Sequence, residues 1–326
     1  MTTLVTGVAG FIGYHTATKL LDRGDEVIGI DNLSNYYSLE LKMARLIRLK
    51  ARKGFTFYEF DLADKNSIEE LRKSIKNFTS VIHLAAQAGV RHSLKRPFDY
   101  GDANLLGHLS VLELCRQQSN FSHLVYASSS SVYGLNKKLP FSVSDPTNSP
   151  VSLYAATKLA NELMSYSYSH LYKIPQTGLR FFTVYGPWGR PDMAYYIFAS
   201  SIVNNKPITV HNFGDMRRDF TYVDDVVEGI ISAHDHPPEG GNTARHKIYN
   251  IGNNKSEPLM RLIRILEEAL GRKAQIISAP MQLGEVKETF ADIEPIKNDL
   301  GFRPHTQINE GIPKFVEWFK SYHKIS

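Results

Sequence analysis

Short runs rich in β-branched residues alternate with segments of helical hydrophobic spacing through the first half of the chain. The runs that we predict to be strands are, in chain order, TLVTG, EVIGID, FTFYEF, TSVIHLAA, HLVYASS and TGLRFF. Because most of their positions are apolar, they indicate strands that are buried on both faces, as in a parallel sheet covered by helices. The alternation predicts a doubly wound α/β fold.

The pattern changes after about residue 183. Loops rich in glycine and proline, GPWGRPD, HNFGDMRRD and HPPEGGN, then separate shorter helices and strands. We therefore predict a sheet domain over residues 1–183, to which later segments return, and a smaller mixed α/β lobe formed mainly by residues 184–326. Ligands of doubly wound sheets bind beyond the carboxyl ends of the strands, so we expect the loops of the second lobe to cover that edge.

Composition narrows the class of protein. The chain has 326 residues, 42% of them hydrophobic and 22% charged, which excludes a disordered, collagenous or disulfide-rich protein. The net charge of +5 is mild for this length and favours a small anionic ligand at least as much as nucleic acid. We expect a cytoplasmic protein with no nucleic-acid or membrane partner, because no leader and no long apolar span is present. The single cysteine, Cys115, is expected in the core.

The densest basic segment covers residues 42–53. It could form a membrane-surface or nucleic-acid-binding helix. We favour a helix packed on the core through Leu39, Met43, Leu46 and Ile47, which recur at helical spacing, with its basic face in solvent.

A glycine loop follows the first predicted strand. Gly7, Gly10 and Gly13 open a helix, where the backbone can approach a pyrophosphate and present free N–H groups to it. Asp31 ends the second strand, eighteen residues after Gly13, where a carboxylate accepts adenosine ribose hydroxyls and repels a 2′-phosphate. This Rossmann-type pattern predicts NAD rather than NADP, and the alternative is a structural turn with a surface aspartate. No Gly-Lys-Ser/Thr follows, which excludes a nucleotide-hydrolase phosphate loop.

Further residues, in the glycine loop, at the strand ends and beyond them, are predicted to complete the cofactor site. They are Phe11, Ile12, Asn32, Asp61, Leu62, Leu84, Ala85, Ala86 and Asn104.

A tyrosine and a lysine stand at helical spacing after a serine tract. Ser129 ends the fifth predicted strand, Tyr154 follows twenty-five residues later, and Lys158 lies one turn beyond it. The i, i+4 spacing places phenol and ammonium on one helix face. The lysine is expected to lower the pKa of Tyr154, so that the phenolate acts as a general base on a carbinol while hydride leaves to NAD.

Taken together, these residues make the chain resemble an extended short-chain dehydrogenase/reductase of the nucleotide-sugar epimerase group, over essentially its whole length. The segments AAQAGVR (Ala85 to Arg91), LRFFTVYGPWGRPDMA (Leu179 to Ala194) and RRDFTYVDD (Arg217 to Asp225) most resemble UDP-glucuronate 4-epimerases. The resemblance implies bound NAD, a UDP-sugar substrate, and the catalytic residues Tyr154, Lys158 and Ser129. It also implies a homodimer paired through the helices around residues 97–118 and 152–171.

The resemblance leaves several reactions open. Dehydratases of this group resemble one another in an Asp-Glu pair, and UDP-glucuronate decarboxylases in a glutamate, where this chain has Ser130-Ser131. Serine hydroxyls are not competent acids or bases at neutral pH. We therefore expect redox-neutral C4 epimerisation of UDP-glucuronate to UDP-galacturonate. The alternatives are a UDP-glucose or UDP-N-acetylglucosamine 4-epimerase and, more remotely, a UDP-glucuronate decarboxylase or a non-catalytic NAD-binding protein.

The substrate residues are assigned by chemistry and by the same resemblance. Hydroxyls of Ser129, Ser130 and Thr183 are expected to hold the sugar carboxylate, and Arg190 and Arg218 to bind the diphosphate. The remaining substrate-binding predictions are Gln87, Arg91, Val210, His211 and Glu285, with uridine against Val210 and His211.

The sequence departs from the family in places. His92 replaces a usual tyrosine, and LGEV at Leu283 to Val286 replaces Pro-Gly-Asp-Val. No metal site is predicted, since His234 and His236 precede Pro237 and are expected in a surface turn.

Overall fold

The computed structural model of this protein describes residues 1–75, 78–240 and 244–325. The strands of this part of the chain are β1 (Thr2–Thr6), β2 (Glu26–Asp31), β3 (Phe55–Glu59), β4 (Ser80–His83), β5 (His123–Ser129), β6 (Gln176–Phe181), β7 (Thr183–Tyr185), β8 (Ile208–His211), β9 (Arg217–Tyr222), β10 (His246–Ile251), β11 (Ser256–Pro258) and β12 (Ile276–Ala279). The α-helices are α1 (Phe11–Asp22), α2 (Leu39–Lys50), α3 (Lys65–Ser74), α4 (Val90–Lys95), α5 (Pro97–Tyr100), α6 (Gly107–Arg116), α7 (Leu153–Tyr172), α8 (Ala194–Val203), α9 (Val223–Asp235), α10 (Leu259–Leu270), α11 (Glu294–Leu300) and α12 (Ile308–His323). A π-helix spans Gly101–Leu106, and 3₁₀-helices span Ser130–Tyr133 and Asn212–Gly214.

The large sheet confirms the predicted doubly wound fold. Its strands run in the order β10-β6-β5-β4-β1-β2-β3, and every neighbouring pair is parallel. The sequence order reverses between β1 and β4, which opens a crevice at their carboxyl ends. Strands β4 and β6 are buried at every position, as expected of strands in a parallel sheet that helices cover on both faces.

Elements that follow residue 183 in the chain divide between the large sheet and a separate group of small sheets and helices. Strand β10 forms an edge of the large sheet, whereas β11-β9-β7 and β12-β8 form two small sheets. A separate apolar cluster joins α8, α10 and α12 around Phe315. The division of the chain at residue 183 stays a prediction.

The predicted core face of α2 is wrong at three of its four positions, whereas Leu46 is buried as predicted. Leu39, Met43 and Ile47 are exposed by 46%, 36% and 63%. The buried positions of this helix are Leu41, Lys42, Arg45, Leu46 and Leu49. The helix is rotated because the Arg45 guanidinium finds oxygen acceptors inside the fold, which apolar periodicity alone does not reveal.

His234 is also placed differently from the prediction. It is buried, and its Nε2 lies 2.8 Å from the Ser80 hydroxyl, so it ties α9 to the large sheet rather than lying in a surface turn. His236 is exposed. Cys115 is buried in the core, which confirms its predicted structural role.

In the described part of the chain, no helix has both the length and the apolar character that crossing a membrane requires.

Burial keeps several histidines of the fold uncharged. It lowers the pKa of His83 to about 3 and the pKa values of His15, His123 and His246 to about 4. His123 shows the structural use of the neutral ring. Its Nδ1 donates to the His234 carbonyl at 3.0 Å and its Nε2 accepts from the Thr177 hydroxyl at 2.9 Å.

These histidines predict a loss of stability in mild acid. An unfolded histidine binds its proton near pH 6.5, so each buried ring stabilises the fold fully above that pH and loses its contribution as the pH falls towards 4. Between about pH 7 and pH 5, a histidine shifted to 4 lowers the free energy of unfolding by roughly 2 kcal/mol. His123→Gln should therefore show a shallower decrease over this range in urea unfolding. His236→Gln, at an exposed position, is the control, and equal pH slopes for the two variants would contradict the prediction.

Candidate active site

A cleft of about 790 Å³ lies between the carboxyl edge of the large sheet and the loops of the second lobe. It brings together most of the residues predicted from sequence. Those that line it are Gly7, Gly10, Phe11, Ile12, Gly13, Asp31, Asn32, Asp61, Leu62, Leu84, Ala85, Ala86, Gln87, Arg91, Ser129, Ser130, Tyr154, Lys158, Thr183, Arg190, His211, Arg218 and Glu285.

The glycine loop forms one end of the cleft. A Cβ on Gly7 would lie 2.7 Å from the backbone nitrogen of Ala85, and one on Gly13 would lie 2.1 Å from the carbonyl oxygen of Gly7. Gly7 also has a φ of +69°, which side chains disfavour. Helix α1 begins after Gly10 without a side-chain cap, so its first N–H groups remain available. This end of the cleft fits the pyrophosphate of a dinucleotide.

Asp31 fixes the loops around the predicted ribose site. Its carboxylate accepts from the backbone N–H of Ala9 at 3.1 Å and of Leu33 at 2.9 Å. Beside it, the Asn32 side chain donates to Asp61 at 3.1 Å. Lys42 lines the same part of the cleft and was missed from sequence, because a lysine in a basic helix gives no signal that it faces inward.

Tyr154 and Lys158 lie on one face of α7, which begins at the Ser152 side-chain cap. At the end of β5, Tyr154 is half-buried and Lys158 is buried, and Lys158 Nζ donates to the Ala127 carbonyl at 3.0 Å. Burial raises the pKa of Tyr154, whereas a hydrogen bond with Ser129 and the charge of Arg190 lower it. The expected lowering of this pKa by Lys158 is therefore not observed, because removal of the phenol from water dominates.

Lys158 has its own electrostatic partner. Burial lowers the pKa of Lys158 to about 8, and the negative charge of Glu162 opposes this change. Glu162 lies one turn further along α7, buried, and accepts two hydrogen bonds from Arg180 at 2.9 and 2.7 Å. It also accepts from the Ser128 hydroxyl. Sequence reasoning missed Glu162, although its i+4 spacing from Lys158 was a usable signal.

The second lobe contributes two arginines to the cleft, each paired with a carboxylate. Arg190 Nε donates to Asp192 Oδ1 at 3.0 Å, and the Tyr36 hydroxyl donates to the other oxygen of Asp192 at 3.0 Å. Arg218 Nη2 donates to Glu285 Oε2 at 3.0 Å. Asp192 and Tyr36 also line the cleft, and neither was predicted.

Two predicted residues do not present their side chains to the cleft. Val210 is buried in the core of the second lobe, and its neighbours Thr209 and His211 line the cleft instead, because side chains alternate along β8.

Asn104 is the other exception. Its buried side chain accepts from the Gln87 N–H at 2.8 Å and donates to the Thr157 hydroxyl at 3.0 Å. These bonds fasten the loop after β4 to α7, so the Asn104 amide supports the cleft wall from behind.

The comparisons with known proteins agree with this geometry. Residues 3–252 match the model of the NAD dependent epimerase/dehydratase family. A UDP-glucuronate 4-epimerase of Arabidopsis thaliana is 46% identical, over 99% of this chain and 76% of that protein. Protein CapI of Staphylococcus aureus is also 46% identical, over 99% of this chain and 100% of that protein.

Among solved structures, the UDP-glucuronic acid 4-epimerase of Bacillus cereus, in complex with UDP-glucuronic acid and NAD, superposes with a TM-score of 0.90. The two are 32% identical, with 99% of this chain and 100% of that one covered. This chain is therefore a member of the NAD dependent epimerase/dehydratase family.

Proposed function

We propose that this protein is an NAD-dependent epimerase that interconverts UDP-glucuronate and UDP-galacturonate at C4. The observation that carries the proposal is one cleft that holds the glycine loop together with Tyr154, Lys158 and Ser129. Ser130 and Ser131 follow in place of the carboxyls that elimination or decarboxylation would use. The UDP-glucuronate 4-epimerases among the relatives support an acidic sugar.

The residues present fit NAD. The glycines of the loop allow a close backbone approach that any Cβ would block. Asp31 lines the cleft at the predicted ribose end, where its charge disfavours a 2′-phosphate. NAD held by the glycine loop and Asp31 would supply reversible hydride transfer at sugar C4, and the positive charge of its oxidised ring would favour a nearby phenolate.

Tyr154 is the proposed general base and acid. Its phenolate accepts the proton of the C4 hydroxyl and returns it after the ring of the keto sugar has turned over. Lys158, one turn away, supplies a positive charge that Glu162 helps to retain. Ser129, at the end of β5, lines the cleft and hydrogen-bonds the reacting oxygen.

We propose a changed role for Arg190. The charge of Arg190 lowers the pKa values of Tyr154 and Tyr100, which supports a guanidinium near the reacting end of the sugar rather than near the diphosphate. With the hydroxyls of Ser129, Ser130 and Thr183, Arg190 forms a site for the carboxylate. Arg218, further out beside Glu285, remains the proposed partner of the diphosphate.

Holding the carboxylate also protects the intermediate. A 4-keto uronic acid is a β-keto acid, which loses CO₂ when the breaking C–C bond aligns with the carbonyl π system. Hydrogen bonds from Ser130, Thr183 and Arg190 would keep the carboxylate out of that alignment. Epimerisation without decarboxylation therefore requires this contact.

The proposed function predicts the product spectrum. Purified protein given UDP-glucuronate should yield UDP-galacturonate on anion-exchange chromatography, with no net consumption of NAD. UDP-glucose and UDP-N-acetylglucosamine, supplied separately, should turn over at least about tenfold more slowly, because neither has a carboxylate for Arg190. Faster turnover of a neutral sugar, or CO₂ and a UDP-pentose as the main products, would refute the proposal.

The role of Tyr154 predicts a separation of catalysis from cofactor binding. Tyr154→Phe should lower kcat by roughly 10²–10⁴ while bound NAD is retained, because only the proton-transferring hydroxyl is lost. Tyr172→Phe, at the exposed end of the same helix, is the control. The measurements are turnover of UDP-glucuronate and the NAD content of the purified protein. Unchanged turnover in Tyr154→Phe would remove the assigned role.

We also propose that the protein is a homodimer, paired through the helices around residues 97–118 and 152–171. The support is a set of large apolar side chains left in solvent on helices that pack together. Leu163 and Tyr166 on α7 are exposed by 65% and 54%. Leu106, which directly precedes α6, is exposed by 40%, and Leu109 on α6 is exposed by 37%. Exposed apolar side chains grouped in this way mark interaction surfaces.

The molecular mass of the protein in solution tests the dimer proposal. Sedimentation equilibrium should give twice the chain mass of 36.8 kDa for the unaltered protein and a monomer for the Leu109→Asp, Leu163→Asp double variant. Ile47→Asp introduces the same charge at an equally exposed position on α2 and should remain dimeric. A double variant that stays dimeric would exclude these helices as the interface.

A further inference from the structure

Arg45 is a fully buried charge on α2. Its Nη1 donates to the Ala9 carbonyl and to the Tyr37 hydroxyl, both at 2.8 Å. Its Nη2 donates to the carbonyls of Trp188 at 2.5 Å and Gly189 at 3.2 Å. Within the described residues no carboxylate pairs with it. The guanidinium is therefore held by backbone and hydroxyl oxygens alone.

The acceptors belong to opposite walls of the cleft. Ala9 lies inside the glycine loop, between Gly7 and Gly10. Trp188 and Gly189 directly precede Arg190, which lines the substrate end. One planar guanidinium thus joins the backbone of the cofactor wall to the backbone of the substrate wall.

The turn that Arg45 holds is strained. Trp188 has a φ of +60°, in the left-handed region that a bulky side chain rarely adopts. A second residue of the cofactor wall holds the same turn. Burial lowers the pKa of His15 on α1 to about 4, and its neutral ring donates to the Pro187 carbonyl at 2.9 Å. Strained backbone persists only where its surroundings fix it, so these two contacts fix the turn that leads into Arg190, whose side chain is held in addition by Asp192.

We propose that Arg45 is a positioning residue that couples the two halves of the cleft, so that the glycine loop arranged for the dinucleotide also presents Arg190 to the UDP-sugar. The inference rests on the proposed function, which assigns these halves to NAD and to the substrate. A buried charge without a carboxylate partner is a poor source of stability, because its desolvation is costly. An apolar residue of equal size could fill the same volume, but it could not bond to both walls as the two terminal nitrogens of Arg45 do.

The experiment compares Arg45→Met with Arg48→Met. Arg48 lies about one turn after Arg45, on the exposed side of α2, and its guanidinium is 4.8 Å from the centre of the Trp188 ring. The control therefore removes the same charge from the same helix. Two constants are measured on folded protein: the rate of NAD release, and the Kd of UDP for protein saturated with NAD. We expect both to rise at least about tenfold in Arg45→Met and to stay within about twofold in Arg48→Met, as coupling through Arg45 requires.

If Arg45→Met does not fold, Arg45→Lys keeps the buried charge but replaces the planar fork with one ammonium, and the same constants are measured on it. Both constants raised would support the proposal. Both unchanged, or only one of them changed, would overturn it, because a residue that joins the two walls must affect both ligands. Neither constant requires turnover, so both can be measured even in a protein that does not convert UDP-glucuronate. Failure of the unaltered protein to convert UDP-glucuronate would refute the proposed function without deciding the role of Arg45.

Discussion

The structure depends on the close approach of the glycine loop to its neighbours. A Cβ on Gly7 would collide with the backbone of Leu84 and Ala85 after β4, and a Cβ on Gly13 would collide with the carbonyl of Gly7. This contact places the start of α1 at the crevice between β1 and β4. Both backbone groups of Ala9 within the loop are then held by charged side chains, the N–H by Asp31 and the carbonyl by Arg45. The cofactor wall is rigid because its polar groups are bonded from both sides.

Burial also determines the acid–base properties of Tyr154 and Lys158 on α7. Tyr154 and Lys158 are withdrawn from water, which disfavours the charged form of each. Glu162 counters this for Lys158, and Arg180 balances Glu162 with a two-point ion pair. The proposed catalytic residues thus occupy a low-dielectric site in which a few neighbouring charges have large effects. Arg190, near enough to act on Tyr154, belongs to the same set.

Much of the fold could be predicted from the sequence. Strands β2 and β5 coincide with the predicted runs EVIGID and HLVYASS, because buried parallel strands are apolar at successive positions. The cleft residues of the glycine loop and of α7 could be predicted as well, since their spacing within one turn is a local property. The core face of α2 could not, because the hydrogen bonds of Arg45 reach residues up to 144 positions away and outweigh local apolar spacing.

By itself, the sequence determined the order of the strands and helices, the glycine loop, and the helical pairing of Tyr154 with Lys158. Each depends on backbone conformation or on neighbours within a few residues. Only the tertiary structure decided that Val210 faces the core, that Asn104 supports the loop after β4, and that the charge of Arg190 acts on Tyr154. These outcomes depend on contacts between distant segments and on burial, which decide which polar groups must find a partner away from water.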